Sequence, residues 1–184
     1  MTDGNGFWKV CEALDCELRV KLLRYLIAVE KSEFPCVNEL AEKFQVSAAA
    51  MSVHLKKLAM VGLVVSKRAD RRVYYRAFAA TTEGERVLAS LRRVFGAHSN
   101  AERFRELREY AHALSHPRRH LIVRCLHEEP GLSLAELAQR TEMPLQTADR
   151  LWGELGKAHI VDLNGEVFAP KREPEATLLE LTLA

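Results

Sequence analysis

Val46-Ser47-Ala48-Ala49-Ala50-Met51-Ser52-Val53-His54-Leu55-Lys56-Lys57-Leu58-Ala59-Met60-Val61-Gly62 runs into Leu63-Val64-Val65 and then, past Ser66-Lys67-Arg68-Ala69-Asp70-Arg71-Arg72, into Val73-Tyr74-Tyr75-Arg76. Met51, Leu55 and Leu58 recur at helical spacing, so residues 47–59 form a helix with one apolar face. Ser47 can cap it, because its hydroxyl can accept from an orphan backbone N–H two or three residues on. Gly62 is a good C-terminal stop. The two β-branched and aromatic runs around a polar, basic loop read as a hairpin. Upstream, Leu14, Leu18, Leu22, Leu23 and Leu26 make one face of a first helix. Pro35 interrupts the chain, and Val37, Leu40, Ala41 and Phe44 line a short second helix. Downstream, residues 82–95 return to helical periodicity with Val87, Leu88, Leu91, Val94 and Phe95. Helix, short helix, turn, helix, hairpin, helix is the order of a winged helix-turn-helix, whose second helix can enter a DNA major groove.

The motif has an echo. Residues 13–26 lie over residues 113–126 at an offset of 100, and Glu39-Leu40-Ala41 lies over Glu136-Leu137-Ala138 at an offset of 97. Leu58 and Leu63-Val64 match Leu155 and Ile160-Val161 at that second offset. The 184 residues therefore divide into two tandem winged helix-turn-helix domains, 1–95 and 96–184, mainly α with small β-hairpin wings. In the second copy Trp152 replaces Leu55, and Asn164-Gly165 reads as a two-residue hairpin turn flanked by Asp162 and Glu166. The break between copies is expected at Gly96-Ala97-His98-Ser99-Asn100, with Ser99 or Asn100 capping the next helix.

The net charge of +2 conceals an uneven distribution. Residues 1–95 carry 16 basic and 11 acidic side chains, +5; residues 96–184 carry 11 and 14, −3. Between His54 and Arg76 stand seven basic residues and one acid, Asp70. Such a cluster binds phosphates with release of counterions, and a guanidinium at a hairpin tip can enter a narrow minor groove. The expected DNA contacts are Ser47, Ala49, Ala50, Ser52, His54, Lys56 and Lys57 on the recognition helix, with Lys67, Arg68, Arg71 and Arg72 on a wing spanning 66–76. Ala and Ser offer thymine-methyl and weak polar contacts, and no Arg, Asn or Gln stands ready for a bidentate base pair, so shape and phosphate carry most of the reading. His54 could meet a phosphate or be satisfied inside the domain. Positions 145–172 balance to zero charge, so the second copy is expected to keep the fold and to have largely lost DNA binding, serving assembly or an effector.

Residues 46–58 followed by Gly62-Leu63-Val64 resemble the turn and recognition helix of ArsR-type transcriptional regulators, and Arg71-Arg72-Val73-Tyr74-Tyr75 resembles that family's wing. Ala113-Leu114-Ser115-His116-Pro117-Arg118 is similar to the opening of the same domain. The resemblance implies a cytoplasmic bacterial repressor, usually dimeric through its terminal helices, that leaves its operator when an effector binds. It puts a homodimer interface on segments 7–14, 83–95 and 101–114. A tandem chain departs from that pattern. A second reading stays open: a non-catalytic tandem winged-helix scaffold for protein interaction.

Related metal sensors carry Cys-Val-Cys-Asp-Leu where this chain has Cys36-Val37-Asn38-Glu39-Leu40, so one thiolate is missing, and metal sites need three or four convergent ligands. His112, His116 and His120 have helical spacing, but Pro117 interrupts them. No metal or cofactor is expected. A thiol switch at Cys11, Cys16 or Cys36 would need exposure and a lowered pKa. No catalytic motif is present, and an enzyme is the least expected class. Four scattered cysteines, no secretory signal and no membrane-length apolar run suit a reducing cytoplasm.

Overall fold

The computed structural model describes residues 7–29, 34–96, 101–162 and 178–179. In chain order its elements are α1 (Trp8–Leu14), α2 (Glu17–Ala28), α3 (Val37–Lys43), α4 (Ala48–Met60), β1 (Val64–Ala69), β2 (Arg72–Ala77), α5 (Thr82–Gly96), α6 (Ala101–Leu114), α7 (Pro117–Glu128), α8 (Leu134–Arg140) and α9 (Leu145–Lys157). The chain divides into two compact units, Cys16–Asn100 and a second made of Met1–Asp15 with Ala101–Ala184.

The first unit is the winged helix-turn-helix. At the start of α3 the Cys36 backbone N–H donates to the Glu39 Oε2 at 2.8 Å, one half of a capping box. α3 ends where Gln45 takes φ 55° and the Val46 N–H closes back on the Ala41 carbonyl at 3.0 Å. Ser47 then caps α4, its Oγ accepting from the Ala50 N–H at 3.1 Å. α4 stops at Gly62, whose φ of 72° favours glycine, and the Leu63 N–H returns to the Leu58 carbonyl at 3.0 Å. Leu22, Leu23, Leu40, Met51, Leu55, Leu58, Leu63, Leu88 and Leu91 are fully buried in this unit. Most of the apolar positions that define its sequence pattern thus form its core. β1 and β2 pair antiparallel from Val64 opposite Ala77 to Ala69 opposite Arg72. The strands run further than the apolar runs suggest: Lys67, Arg68 and Arg72 are strand residues, and Asp70-Arg71 alone make the turn. Backbone ladder bonds need no apolar side chains, so the hairpin continues through the basic stretch.

The second unit repeats the helical layout. α7 begins and ends 100 residues after α2, and α8 and α9 begin and end 97 residues after α3 and α4. Details repeat too. The Ser133 N–H donates to Glu136 Oε2 at 2.8 Å. Glu142 takes φ 53° and His159 φ 54°, where the first unit has Gln45 and Gly62. Met143 N–H bonds the Ala138 carbonyl at 2.9 Å and Ile160 N–H the Leu155 carbonyl at 3.0 Å.

The correspondence extends back to residue 7. From Phe7 to Asp15 every position is buried, half-buried or exposed in step with its counterpart from Leu107 to Ser115. The expected boundary at 95/96 groups α1 with the first winged helix; the structure instead packs α1 on α6 in the second unit. The cause is apolar spacing: Phe7, Val10, Cys11 and Leu14 form one stripe, Leu107, Tyr110, Ala111 and Leu114 form its match, and all eight are buried. Asp15 Oδ2 and His112 Nδ1, 2.8 Å apart, tie the two helices together. The expected second wing around Asn164-Gly165 and the break with its Ser99 or Asn100 cap lie outside the described residues.

Candidate nucleic-acid interface

α4 turns its inner face to the core through Met51, Leu55 and Leu58. Its outer surface carries Ala48, Ala49, Val53, Lys56, Lys57 and Met60, all exposed. Val53, which is not among the expected contacts, is 55% exposed in the middle of the helix. Ala50 and Ser52 are half-buried, and Ser47 is exposed with its oxygen engaged as the cap. His54 is half-buried, and its Nδ1 is buried without a hydrogen-bond partner. Burial first, then the Arg19 and Lys57 charges, pushes its pKa below the usual histidine value. A neutral ring turned inward is a poor phosphate ligand.

The strand register sorts the wing's cations by face. Residues paired across a ladder share a face, so Val64, Ser66, Arg68, Val73, Tyr75 and Ala77 lie on one side, the side of the buried Val64 and Tyr75. Val65, Lys67, Ala69, Arg72, Tyr74 and Arg76 lie on the other. Lys67 and Arg72 are therefore joined by Arg76 on one face. Arg68 is on the opposite face, and Arg71 is in the turn beside Asp70, which takes φ 53°. The stretch before α3 flanks β2: Cys36 bridges Tyr74, and the Tyr75 N–H donates to the Pro35 carbonyl at 3.0 Å. This brings Glu39 near the wing, with its Oε1 3.7 Å from an Arg72 guanidinium nitrogen. Both side chains are more than half exposed, so the pair holds Arg72 only weakly.

Arg76 is a basic residue of the wing region whose role the sequence left unassigned. Its guanidinium lies 4.7 Å from the Phe78 ring centre and 5.3 Å from that of Phe34. The two-residue spacing of Arg76, near the end of β2, and Phe78 just beyond it was the available signal. Behind them is a cleft of about 440 Å³ whose lining, among the described residues, includes Leu26, Phe34, Tyr75, Arg76, Phe78 and Arg92 and no acid.

The other singled-out groups do not converge. His112 pairs with Asp15, His116 caps α7 by accepting from the Arg118 N–H at 3.1 Å, and His120 is buried. Among the described residues no three His, Cys, Asp or Glu side chains gather as metal ligands. Cys11, Cys36 and Cys125 are buried and Cys16 is half-buried. Burial pushes the Cys11 and Cys125 thiols up in pKa, away from reactive thiolate. Among the described residues no helix is long and apolar enough to cross a membrane.

The second unit's counterpart of α4 presents a different surface. Asp149, Arg150 and Glu154 on α9 stand where α4 has Ser52, Val53 and Lys57, and Glu154 binds both Arg150 and Arg119. Residues 16–66 match the model of the bacterial regulatory protein, arsR family. No curated protein and no solved structure matches the chain.

Proposed function

We propose that this chain is a DNA-binding transcriptional regulator, acting as a repressor, in which α4 reads the major groove and the β1–β2 wing holds the flanking backbone. The carrying observation is a capped helix with an uncharged, exposed centre at Ala49 and Val53, followed by a hairpin with Lys67, Arg72 and Arg76 on one face. The neutral centre suits base edges and the cations suit phosphates. The match over residues 16–66 supports the same reading. The repeated helices of the second unit are a second copy of the domain without the reading surface, since Asp149 and Glu154 stand where α4 has Ser52 and the cationic Lys57. Control would come from a small organic anion in the cleft behind the wing. Among the described residues rings and aliphatic side chains line it, Arg76 and Arg92 carry the charge, and its volume is within the usual range for ligand sites.

The test is a salt titration of duplex binding by the wild type and by the double variant Arg71→Ala/Arg72→Ala. The regulator loses affinity in the variant, and its log–log salt slope falls by roughly one to two. Absence of wild-type binding even at low salt refutes the proposal and favours the scaffold reading.

A further inference from the structure

Homodimerisation through 7–14, 83–95 and 101–114 requires those segments to present apolar surface to a second chain. Most of their described apolar side chains are turned inward instead, and Trp8, Phe95 and Phe104 are half-buried. Val10, Cys11, Ala13 and Leu14 of α1, Val87, Leu88 and Leu91 of α5, and Leu107, Tyr110, Ala111 and Leu114 of α6 are all buried in a single chain. The exposed large apolar side chains among the described residues are Val53, Met60, Phe78 and Leu145, and none lies in the three segments. A standard interface buries about 800 Å² per partner around an apolar core; among the described side chains these segments offer only the half-buried Trp8, Phe95 and Phe104 toward one.

What covers α1 is its own repeat. α1 and the second half of α6 are equivalent at an offset of 100, bury the same positions and pack on each other. Ala13 and Ala113, both 3% exposed, stand at the same point of the two helices, where small side chains let helices approach. A segment packed against its own equivalent is the contact that a two-fold dimer forms between chains. Here one chain forms it internally. Among the described residues the two helices differ as reading surfaces: α4 carries the exposed Lys56 and Lys57 and no acid, whereas α9 mixes Asp149 and the paired Glu154 with Arg150 and Lys157.

We infer that the protein reads DNA as a monomer, that the α1–α6 pair takes the place of a dimer contact, and that its target is a single asymmetric site met by one α4 and one wing. The inference rests on the DNA-binding reading above and goes beyond it by naming the class of target. A two-fold dimer selects inverted half-sites about one helical turn, 10–10.5 base pairs, apart. A monomer with one reading helix selects one uninterrupted element with no symmetric partner.

Two measurements on the full-length wild type test this. Sedimentation equilibrium at micromolar concentration, free and with duplex, gives the number of chains. Selection from a random-sequence duplex pool gives the symmetry of the bound element. The expected result is a one-chain mass, one chain per duplex and an enriched motif without inverted repetition. A two-chain mass in the free protein, or two chains on an inverted repeat, overturns the inference while leaving DNA binding intact. Failure to enrich any sequence, with no binding at low salt, overturns the DNA-binding reading and this inference with it. The sedimentation result then shows separately whether the free protein is one chain.

Discussion

Arg119 donates through one guanidinium nitrogen to Glu154 at 3.0 Å, and the two residues are the counterparts of Arg19 and Lys57 in the first unit. The same two positions in the repeat thus hold residues of opposite charge in one unit and of like charge in the other. Arg119 also donates to the His112 carbonyl at 2.7 Å and is only 8% exposed, so it joins the end of α6, α7 and α9. Glu154→Gln leaves this buried guanidinium without its carboxylate. A loss of about 1–3 kcal/mol is expected, since removing one partner strands the other. Urea unfolding measures it, and DNA affinity should not change.

His120 gives the protein an acid-sensitive point. It occupies the place of Val20, is 3% exposed and has no hydrogen-bond partner on either ring nitrogen. Burial, with a smaller contribution from Arg124, pushes its pKa down to about 4. In the unfolded chain the ring takes a proton near its ordinary value of about 6.5, so below that pH the unfolded state binds more protons. Stability is complete above about pH 6.5 and falls as pH drops toward 4, by about 3 kcal/mol in all. His54 and His116 are depressed too and act in the same direction. Urea unfolding at pH 5 and pH 7.5 should show the loss in the wild type, with most of it removed in His120→Val.

Gly84 is required by a close approach between the start of α5 and the turn after α4. A Cβ there would stand 2.8 Å from the Gly62 carbonyl oxygen, a backbone atom that already accepts from the Ala80 N–H at 3.0 Å. Gly84→Ala must push α5 outward and is expected to cost about 1–3 kcal/mol, the scale of overpacking. A shift of the urea midpoint to lower concentration checks it. An unchanged midpoint would mean that the turn yields without cost.

Local signals made the helix-turn-helix readable. Ser47 announces the start of α4, Gly62 its end, and the stripe of Met51, Leu55 and Leu58 its inner face, all within one short window. The partner of α1 was not readable in this way. Phe7, Val10 and Leu14 show an apolar stripe, but a stripe does not say what it meets, and the choice between α2 and α6 depends on contacts about 100 residues away. The wing's sidedness was hidden for another reason. Lys67 and Arg68 are neighbours in a basic run, and only the strand register separates them onto opposite faces. Left-handed Gln45 and Glu142 gave no warning, because neither is the glycine or asparagine that usually marks such a turn.

Glu39 serves both α3 and the wing, and its charge can be separated from its cap. Oε2 accepts from the Cys36 N–H while Oε1 faces Arg72. Glu39→Gln keeps an acceptor for the cap and removes a negative charge beside a proposed phosphate contact. One charge at this range in water is worth about 1 kcal/mol, so duplex affinity at low salt should rise by about two- to five-fold. The gain should shrink as salt is added. Lower affinity in the variant would show that Glu39 positions Arg72 rather than competing for it.

Val53 tests whether α4 reads bases at all. It is 55% exposed at the centre of a helix whose outward positions are alanine before it and Lys56 and Lys57 after it, so its two methyl groups are the largest apolar surface there apart from Met60 at the C-terminal end. An apolar group in a major groove recognises the thymine methyl and makes no phosphate contact. Val53→Ala should therefore reduce discrimination between the selected duplex and random duplex by about five-fold, equivalent to about 1 kcal/mol. Affinity for random duplex and the salt slope should stay unchanged, because both are set by Lys56 and the wing cations. Competition binding at two salt concentrations separates the two effects. An equal loss on selected and random duplex would place Val53 outside the base-reading surface.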